Sequence, residues 1–310
     1  MRSLLVIGHL TRDRIRWSRS PSILEAPGGP AFYTPLAASG LGLKTTVLSK
    51  IGGDYPLNYL RMLEEGHVDT SPVRRVGHPT TTFELTYGDA GDRSLRVLSV
   101  CEEIGVEDCH GLRGDWMVHI GSVVDEVAHE VYGFYSRRSR FTSTDIQGIV
   151  RFIGGGGVIQ LRSPRDISFL EGVNLVKATG EELQVLLGVG DFMEAMRSFY
   201  KRFGGEVILT VTLGGRGCLL VTSRGAYRAP AYPVERVRDP TGAGDVLVGG
   251  VLSSILKGED LDYALAVGVA SASFCVEKAS VHEFSIGPGL TERIQWVYSR
   301  IGREPFPPVP

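Results

Sequence analysis

The chain has 310 residues, 43% of them hydrophobic and 22% charged, enough to bury a large core as one large domain or two modest ones. A formal net charge of −2 provides no broad attraction for nucleic acid or an anionic membrane surface, so phosphate binding must be local and the expected partner is a small molecule. Cys101, Cys109, Cys218 and Cys275 form no Cys-x-x-Cys pair and meet no His cluster at zinc spacing; they read as buried free thiols.

The apolar start, Met1–Ile7, is interrupted by Gly8, His9, Arg12 and Asp13 before a signal-peptide core or a membrane span is complete, so it reads as a strand in a cytoplasmic protein. Strand-like runs follow at Leu4–Gly8, Thr45–Lys50, Trp116–Ile120, Val158–Leu161, Leu175–Lys177 and Val207–Val211. Helical periodicity lies between them at Pro56–Gly66, Glu126–Arg137, Glu181–Gly188 and Phe192–Phe203. This alternation predicts an α/β fold with a mainly parallel sheet covered by helices. Thr80–Tyr87 and Arg93–Val100 alternate with period two around Gly88-Asp89-Ala90-Gly91-Asp92 and read as an antiparallel hairpin. With residues 14–25, the segment 80–100 could form a small β lid over a site at the strand ends, or be a surface hairpin with no role there. Gly154–Gly157 lacks the Lys-Ser/Thr ending of a phosphate-binding Walker loop and reads as a turn between two strands. After a hairpin-like pair, Gly217–Thr222 and Ala226–Ala229, come two long helices rich in small residues, Ala243–Leu256 and Leu261–Val276. No long linker divides the chain, so 1–310 is expected to be one domain; exposed lid strands could pair edge to edge in a homodimer.

The segment Asp239-Pro240-Thr241-Gly242-Ala243-Gly244-Asp245 carries the strongest local chemistry. Its glycines free the backbone to bend just before a helix, so amides of residues 242 to 245 can point outward together at a helix N-terminus and form an anion hole. Such a hole stabilises a phosphoryl group in transfer, and a carboxylate beside it can take a proton from an attacking hydroxyl. Taken alone, Gly-Ala-Gly-Asp also fits a capped turn.

The same segment is similar to the Asp-Thr-Thr-Gly-Ala-Gly-Asp signature of ribokinase-like (PfkB) carbohydrate and nucleoside kinases, with Pro240 the one departure. The resemblance implies an ATP-dependent transferase with Asp245 as base and Gly242, Ala243 and Gly244 as the anion hole. It implies a three-layer fold with a central sheet of about eight strands and a small β lid. Ala26-Pro27-Gly28-Gly29-Pro30-Ala31 looks like the family's Gly-Gly signature, where backbone approaches the acceptor; Phe32 and Tyr33 stand near the place of a usual Asn. Asp13 resembles the family's acceptor of a substrate hydroxyl, and could otherwise be a strand-end cap. Lys177-Ala178-Thr179-Gly180-Glu181-Glu182 lies where the family has Asn-x-x-Glu, so Glu182 would help hold Mg²⁺ through water; such a Glu can equally be dipole compensation at a helix start. Thr212, Gly214, Arg216 and Gly217 match the Thr-x-Gly-x-x-Gly segment beside the ATP phosphates, and Ser273 and Ala270 are candidates for the adenine wall.

Asp145-Ile146-Gln147-Gly148-Ile149-Val150-Arg151 resembles the Asp-x-Gln-x-x-x-Arg segment of inositol kinases in this family, and Asp145, Gln147 and Arg151 offer the donors and acceptors a polyol needs. A structural Asp145–Arg151 ion pair is the competing reading. The expected reaction is phosphorylation of a sugar or polyol, with myo-inositol the best fit; a nucleoside kinase, with Phe32 and Tyr33 stacking a base, and a non-catalytic sugar-binding regulator are the alternatives.

Overall fold

The apolar run near the start of the chain forms the strand Ser3–Ile7, and its alternation decides the layering. Leu4 and Val6 join one core with Met117, Leu175, Leu220, Leu247 and Leu265, whereas Leu5 and Ile7 join another with Val118, Ile120, Val176, Leu183 and Phe199. Successive side chains leave a strand on opposite faces, so a strand apolar throughout must be covered on both. Each fully buried leucine contributes about 2 kcal/mol relative to exposure.

The computed structural model describes residues 3–17, 22–87, 93–112, 114–278 and 284–304. Among them the central sheet has eleven strands. In space it runs Gly302–Glu304, Gly225–Ala229, Cys218–Thr222, Ile208–Thr212, Leu175–Thr179, Phe141–Asp145, Trp116–Gly121, Ser3–Ile7, Lys44–Ile51, Val68–Asp69, with Val73–Arg75 also pairing with Lys44–Ile51. From Ile208–Thr212 onward the pairs are parallel, and the three strands at the other edge are antiparallel. Helices Pro30–Gly40, Ala243–Lys257, Leu261–Glu277 and Leu290–Tyr298 cover one face; His129–Ser136, Gly180–Leu187 and Phe192–Phe203 cover the other. The result is the expected three-layer α/β arrangement.

Two glycines seat helix Ala243–Lys257 by close backbone approach. A Cβ at Gly250 would lie 2.7 Å from the Cα of Gly268, and one at Gly249 would lie 2.7 Å from the carbonyl oxygen of Thr34. At these two points the helix backbone comes close to Leu261–Glu277 and Pro30–Gly40, which fixes where its N-terminus falls.

The run Val158–Leu161 is not a buried strand of the central sheet. Ile159–Leu161 pairs antiparallel with Arg151–Ile153, and Val158 is 41% exposed. The strand that takes that place is Phe141–Asp145, whose Thr142, Ser143 and Thr144 understate its burial by hydropathy. Its hydroxyls are satisfied internally: Ser143 Oγ donates to Val118 O at 3.2 Å and Thr144 Oγ1 to Ile120 O at 2.9 Å.

A second sheet of four strands, in the order Ile23–Gly28, Thr11–Trp17, Thr82–Tyr87, Arg93–Ser99, forms the lid. Its first strand begins at Thr11, so Asp13 belongs to the lid and not to the end of the first central strand. Within the lid region, residues 18–21 and the turn 88–92 lie outside the described residues. The glycine turn of 154–157 docks on this sheet, with Arg96 Nη2 donating to the Gly156 carbonyl at 2.7 Å.

Candidate active site

Asp145, Thr179 and Thr212 are each the last residue of a parallel strand, so the site forms where α/β sheets place it, beyond the carboxyl ends of the strands. A cavity of ≈ 290 Å³ opens there between sheet and lid. Asp13, Gln147, Arg151, Lys177 and Asp245 line it with polar groups; Phe83, Leu85 and Leu95 of the lid, with Val123, supply an apolar side.

Asp245 sits in the first turn of helix Ala243–Lys257, which starts at Gly242 with φ 80°, a left-handed conformation that glycine adopts without strain. The ring of Tyr33 packs so closely on Gly242 that a Cβ there would come within 2.6 Å of it. The amide of Thr241 is bound by Asp239 Oδ1 at 2.9 Å and that of Ala243 by Pro240 O at 3.2 Å. Gly242, Gly244 and Asp245 line the cavity and Ala243 does not, so beyond the occupied amide of Ala243 those of Gly244 and Asp245 open toward the cavity at the helix N-terminus, an arrangement suited to an anion. Burial raises the Asp245 carboxyl to about 7, with Lys177 and Arg151 opposing that rise and Asp145 and Glu182 adding to it. A carboxylate poised near neutrality suits a general base.

Asp13 is buried and accepts from Thr11 Oγ1 at 2.9 Å. Gly28 makes room for it, since a Cβ at that position would lie 2.3 Å from Asp13 Oδ2. Gly29, at φ 87°, lines the cavity and starts helix Pro30–Gly40; a Cβ there would meet the carbonyl oxygen of His9 at 2.8 Å. Tyr33 lines the cavity, but Phe32 is fully buried in the core, so the two rings do not form a stacking pair in the site.

Gln147 and Arg151 line the cavity from the short helix Gln147–Val150 and the residue after it. Arg151 Nη1 donates to Val123 O at 3.4 Å. Asp145 is 1% exposed and does not line the cavity. Its Oδ1 accepts from the Gln147 backbone amide at 2.9 Å and its Oδ2 from Lys177 Nζ at 2.6 Å, an ion pair with Lys177.

A second cavity, ≈ 550 Å³, adjoins the first; Thr179 and Thr212 line both. Gly214, Arg216, Leu213, Gln184, Phe192 and Arg228 complete much of its wall. Gly217 does not line it; that glycine is required by the fold, because a Cβ would lie 2.0 Å from Ala229 O. Ser273 is not brought to either cavity: its hydroxyl donates to Ala270 O at 2.6 Å and accepts from Arg293 Nη1 at 2.7 Å. Glu182 forms a capping box with Thr179, accepting from the Thr179 amide at 2.7 Å while its own amide donates to Thr179 Oγ1 at 3.1 Å.

Lys177, the lid trio and Val123 are lining residues that the motifs do not single out. A lysine inside the otherwise apolar run Leu175–Ala178 was the visible signal for the first. The lid trio follows from period two, since Phe83 and Leu85 share a face and Leu95 lies directly opposite Leu85.

Residues 159–286 match the pfkB family carbohydrate kinase. The inositol 3-kinase of Oryza sativa subsp. japonica is 27% identical over 322 residues, covering 97% of this chain and 74% of the relative. The nucleoside kinase of Methanocaldococcus jannaschii is 42% identical over 268 residues, covering 83% of this chain and 81% of the relative. The chain belongs to the pfkB family. It is a sugar or nucleoside kinase of that family, a phosphotransferase with a hydroxyl acceptor and a small-molecule substrate. Among solved structures, a pyrophosphate-dependent myo-inositol-1 kinase of the same fold, converted into a myo-inositol-3 kinase by replacing an asparagine and a serine with leucine, superposes with a TM-score of 0.76 at 22% identity, covering 94% of this chain and 98% of that one. Among the described residues no helix is long and apolar enough to cross a membrane.

Proposed function

We propose that this pfkB-family kinase transfers the γ-phosphoryl group of Mg-ATP to the 3-hydroxyl of myo-inositol. The observation that carries the reading is the acceptor cavity itself. At ≈ 290 Å³ it lies at the small end for ligand sites, which favours a single polyol ring over a nucleoside. Its polar side, Asp13, Gln147 and Arg151, offers both acceptors and donors to ring hydroxyls. Its apolar side carries Leu85 and Leu95, a cross-strand pair with no hydrogen bond to give. Two polar-to-leucine replacements turn the solved myo-inositol-1 kinase into a 3-kinase, and leucines facing the acceptor fit the same preference here.

Asp245 takes the acceptor proton, and the phosphoryl group crosses at Thr179 and Thr212, where the two cavities meet. The larger cavity has room for a nucleotide, with Arg216 and Arg228 able to reach phosphates and Phe192 and Leu213 offering apolar surface. Magnesium prefers one or two carboxylates with water and donor phosphates over an all-protein cage. Glu182 is buried, takes the Thr179 amide on its Oε2 and lines neither cavity, so it would help hold the ion only through water. When bound, the ion neutralises charge on the donor phosphates.

The four free cysteines are all buried, which suits the reducing cytoplasm. Leu24 and Leu98 of the lid and Phe152, Ile153 and Val158 of the adjoining hairpin are exposed, and a second copy joined through the lid would cover them; a monomeric mass by sedimentation would reject that homodimer.

A coupled assay against myo-inositol, ribose, fructose, adenosine and cytidine, with ATP and with pyrophosphate as donors, tests the reading. Turnover of myo-inositol with ATP and formation of the 3-phosphate are expected. Tyr33 beside the anion hole and the nucleoside kinase relative favour a second reading, and turnover of adenosine or cytidine without myo-inositol would select it. Turnover with pyrophosphate but not ATP would overturn the donor assignment.

A further inference from the structure

Lys177 places a buried positive charge at the junction of the two cavities. It shares a strand face with Thr179, which lines both, and it lines the acceptor cavity itself. Its Nζ would lie 3.2 Å from a Cβ on Gly244, so the ammonium lies against the glycine that presents the anion hole. Burying an ammonium costs several kcal/mol, and an apolar residue in this strand would avoid that cost. Asp145 holds the group from behind at 2.6 Å and is itself shut off from the cavity. One carboxylate oxygen thus occupies one of the three ammonium donors.

We propose that Lys177 is a catalytic residue whose ammonium contacts the phosphoryl group in transfer, and that Asp145 is the positioning residue that aims it. The proposal rests on the assignment of Asp245 as the base and of the Thr179–Thr212 junction as the crossing point. As the acceptor O–H bond breaks, its proton passes to the Asp245 carboxylate. The acceptor oxygen forms a bond to phosphorus while the bond from phosphorus to the bridging oxygen breaks, and the nucleoside diphosphate leaves with that electron pair. Negative charge gathers on the three non-bridging oxygens, between the amides of Gly244 and Asp245 and the ammonium of Lys177. A preorganised charge in a site with little water is worth far more there than in solution.

The test compares Lys177→Met, Lys177→Arg and the double variant Asp145→Asn/Lys177→Met with wild type, reading kcat, acceptor KM and Tm on whichever acceptor and donor the wild type uses. A wrong acceptor or donor therefore fails in the wild type, before any variant is compared. Lys177→Met is expected to lower kcat about 10²- to 10³-fold with KM little changed. It should also lower Tm, because Asp145 is left buried and unpaired. The double variant should regain the lost Tm and none of the lost kcat. Recovery of kcat together with Tm would show the pair to be structural and overturn the proposal. Should the double variant not fold, Lys177→Arg decides: it keeps the charge and the Asp145 pair but moves the donor atoms, so kcat should fall at least about tenfold, and wild-type kcat would overturn the proposal.

Discussion

Asp145 and Lys177 meet at 2.6 Å across neighbouring strand ends, and this pair ties the first residue of the segment Asp145–Arg151 to the next strand. Asp145 is 1% exposed and does not line the cavity, whereas Gln147 and Arg151 of the same segment do. The lysine is raised: burial alone would lower it, but the carboxylates of Asp145, Glu182 and Asp245 outweigh that effect and keep it protonated. A fixed positive charge thus sits beside the Asp245 carboxyl, which burial raises to about 7.

That neighbourhood sets a pH dependence. Burial raises the carboxyl of Asp245 to about 7, with Lys177, Asp145, Arg151 and Glu182 as the charged groups that face it. The ionised form is the base, so kcat/KM in the unliganded enzyme should fall about tenfold per pH unit below that value and level off above it. A profile flat down to pH 5 would remove Asp245 from the proton-transfer step.

The same shift carries a stability cost. The unfolded chain ionises Asp245 near the model-peptide value of 3.8, while the folded protein holds the proton until about 7, so stability is lost as pH rises through that window. Asp245→Asn removes the cost, and Lys177 keeps Asp145 as its partner. The variant should melt higher than wild type at pH 8, with the gain shrinking by pH 5. An unchanged or lower Tm at pH 8 would contradict the burial argument.

Gly28 tests Asp13 from the neighbouring strand. A Cβ at position 28 would lie 2.3 Å from Asp13 Oδ2, so Gly28→Ala must push that carboxylate aside. Removing a charged hydrogen bond to a substrate hydroxyl costs roughly 1.5–3 kcal/mol, so Asp13→Ala should raise acceptor KM about 10- to 100-fold. Gly28→Ala should do much the same and add little in the Asp13→Ala background. Full additivity would show that the glycine acts elsewhere.

The leucine pair of the lid makes a regiochemical prediction. Leu85 and Leu95 stand directly opposite one another and both line the cavity. Introducing Leu85→Asn with Leu95→Ser offers hydrogen bonds on the apolar side and should let the ring turn over, so that 1-phosphate appears beside the 3-phosphate. Product from the double variant, resolved by chiral chromatography, should be mixed; a pure 3-phosphate would separate the leucines from the choice of hydroxyl.

The layering and the helix start that carries Asp245 were legible in the residues themselves. Leu4–Ile7 alternates into two cores, and the glycines around Asp245 sit where a helix must begin with an open N-terminus. The hydroxyl-rich strand Phe141–Asp145 was hidden because its burial relies on internal hydrogen bonds and not on hydropathy. Asp145 shows a different limit: its type was noted, but its turning to Lys177 depends on the register of Phe141–Asp145 against Leu175–Thr179, whereas the contact of Glu182 is a local capping box with Thr179. Ser273 shows it again, since Arg293 from helix Leu290–Tyr298 takes its hydroxyl.

The most direct test of the account is the turnover of Asp245→Asn with myo-inositol and Mg-ATP, read beside wild type at pH 8. The account predicts that wild type forms inositol phosphate and that the variant loses at least about 10²- to 10⁴-fold in kcat while binding myo-inositol with similar affinity. A variant that turns over at the wild-type rate would contradict it, because Asp245 is the cavity-lining carboxylate in the first turn of the helix whose open amides would hold the phosphoryl group.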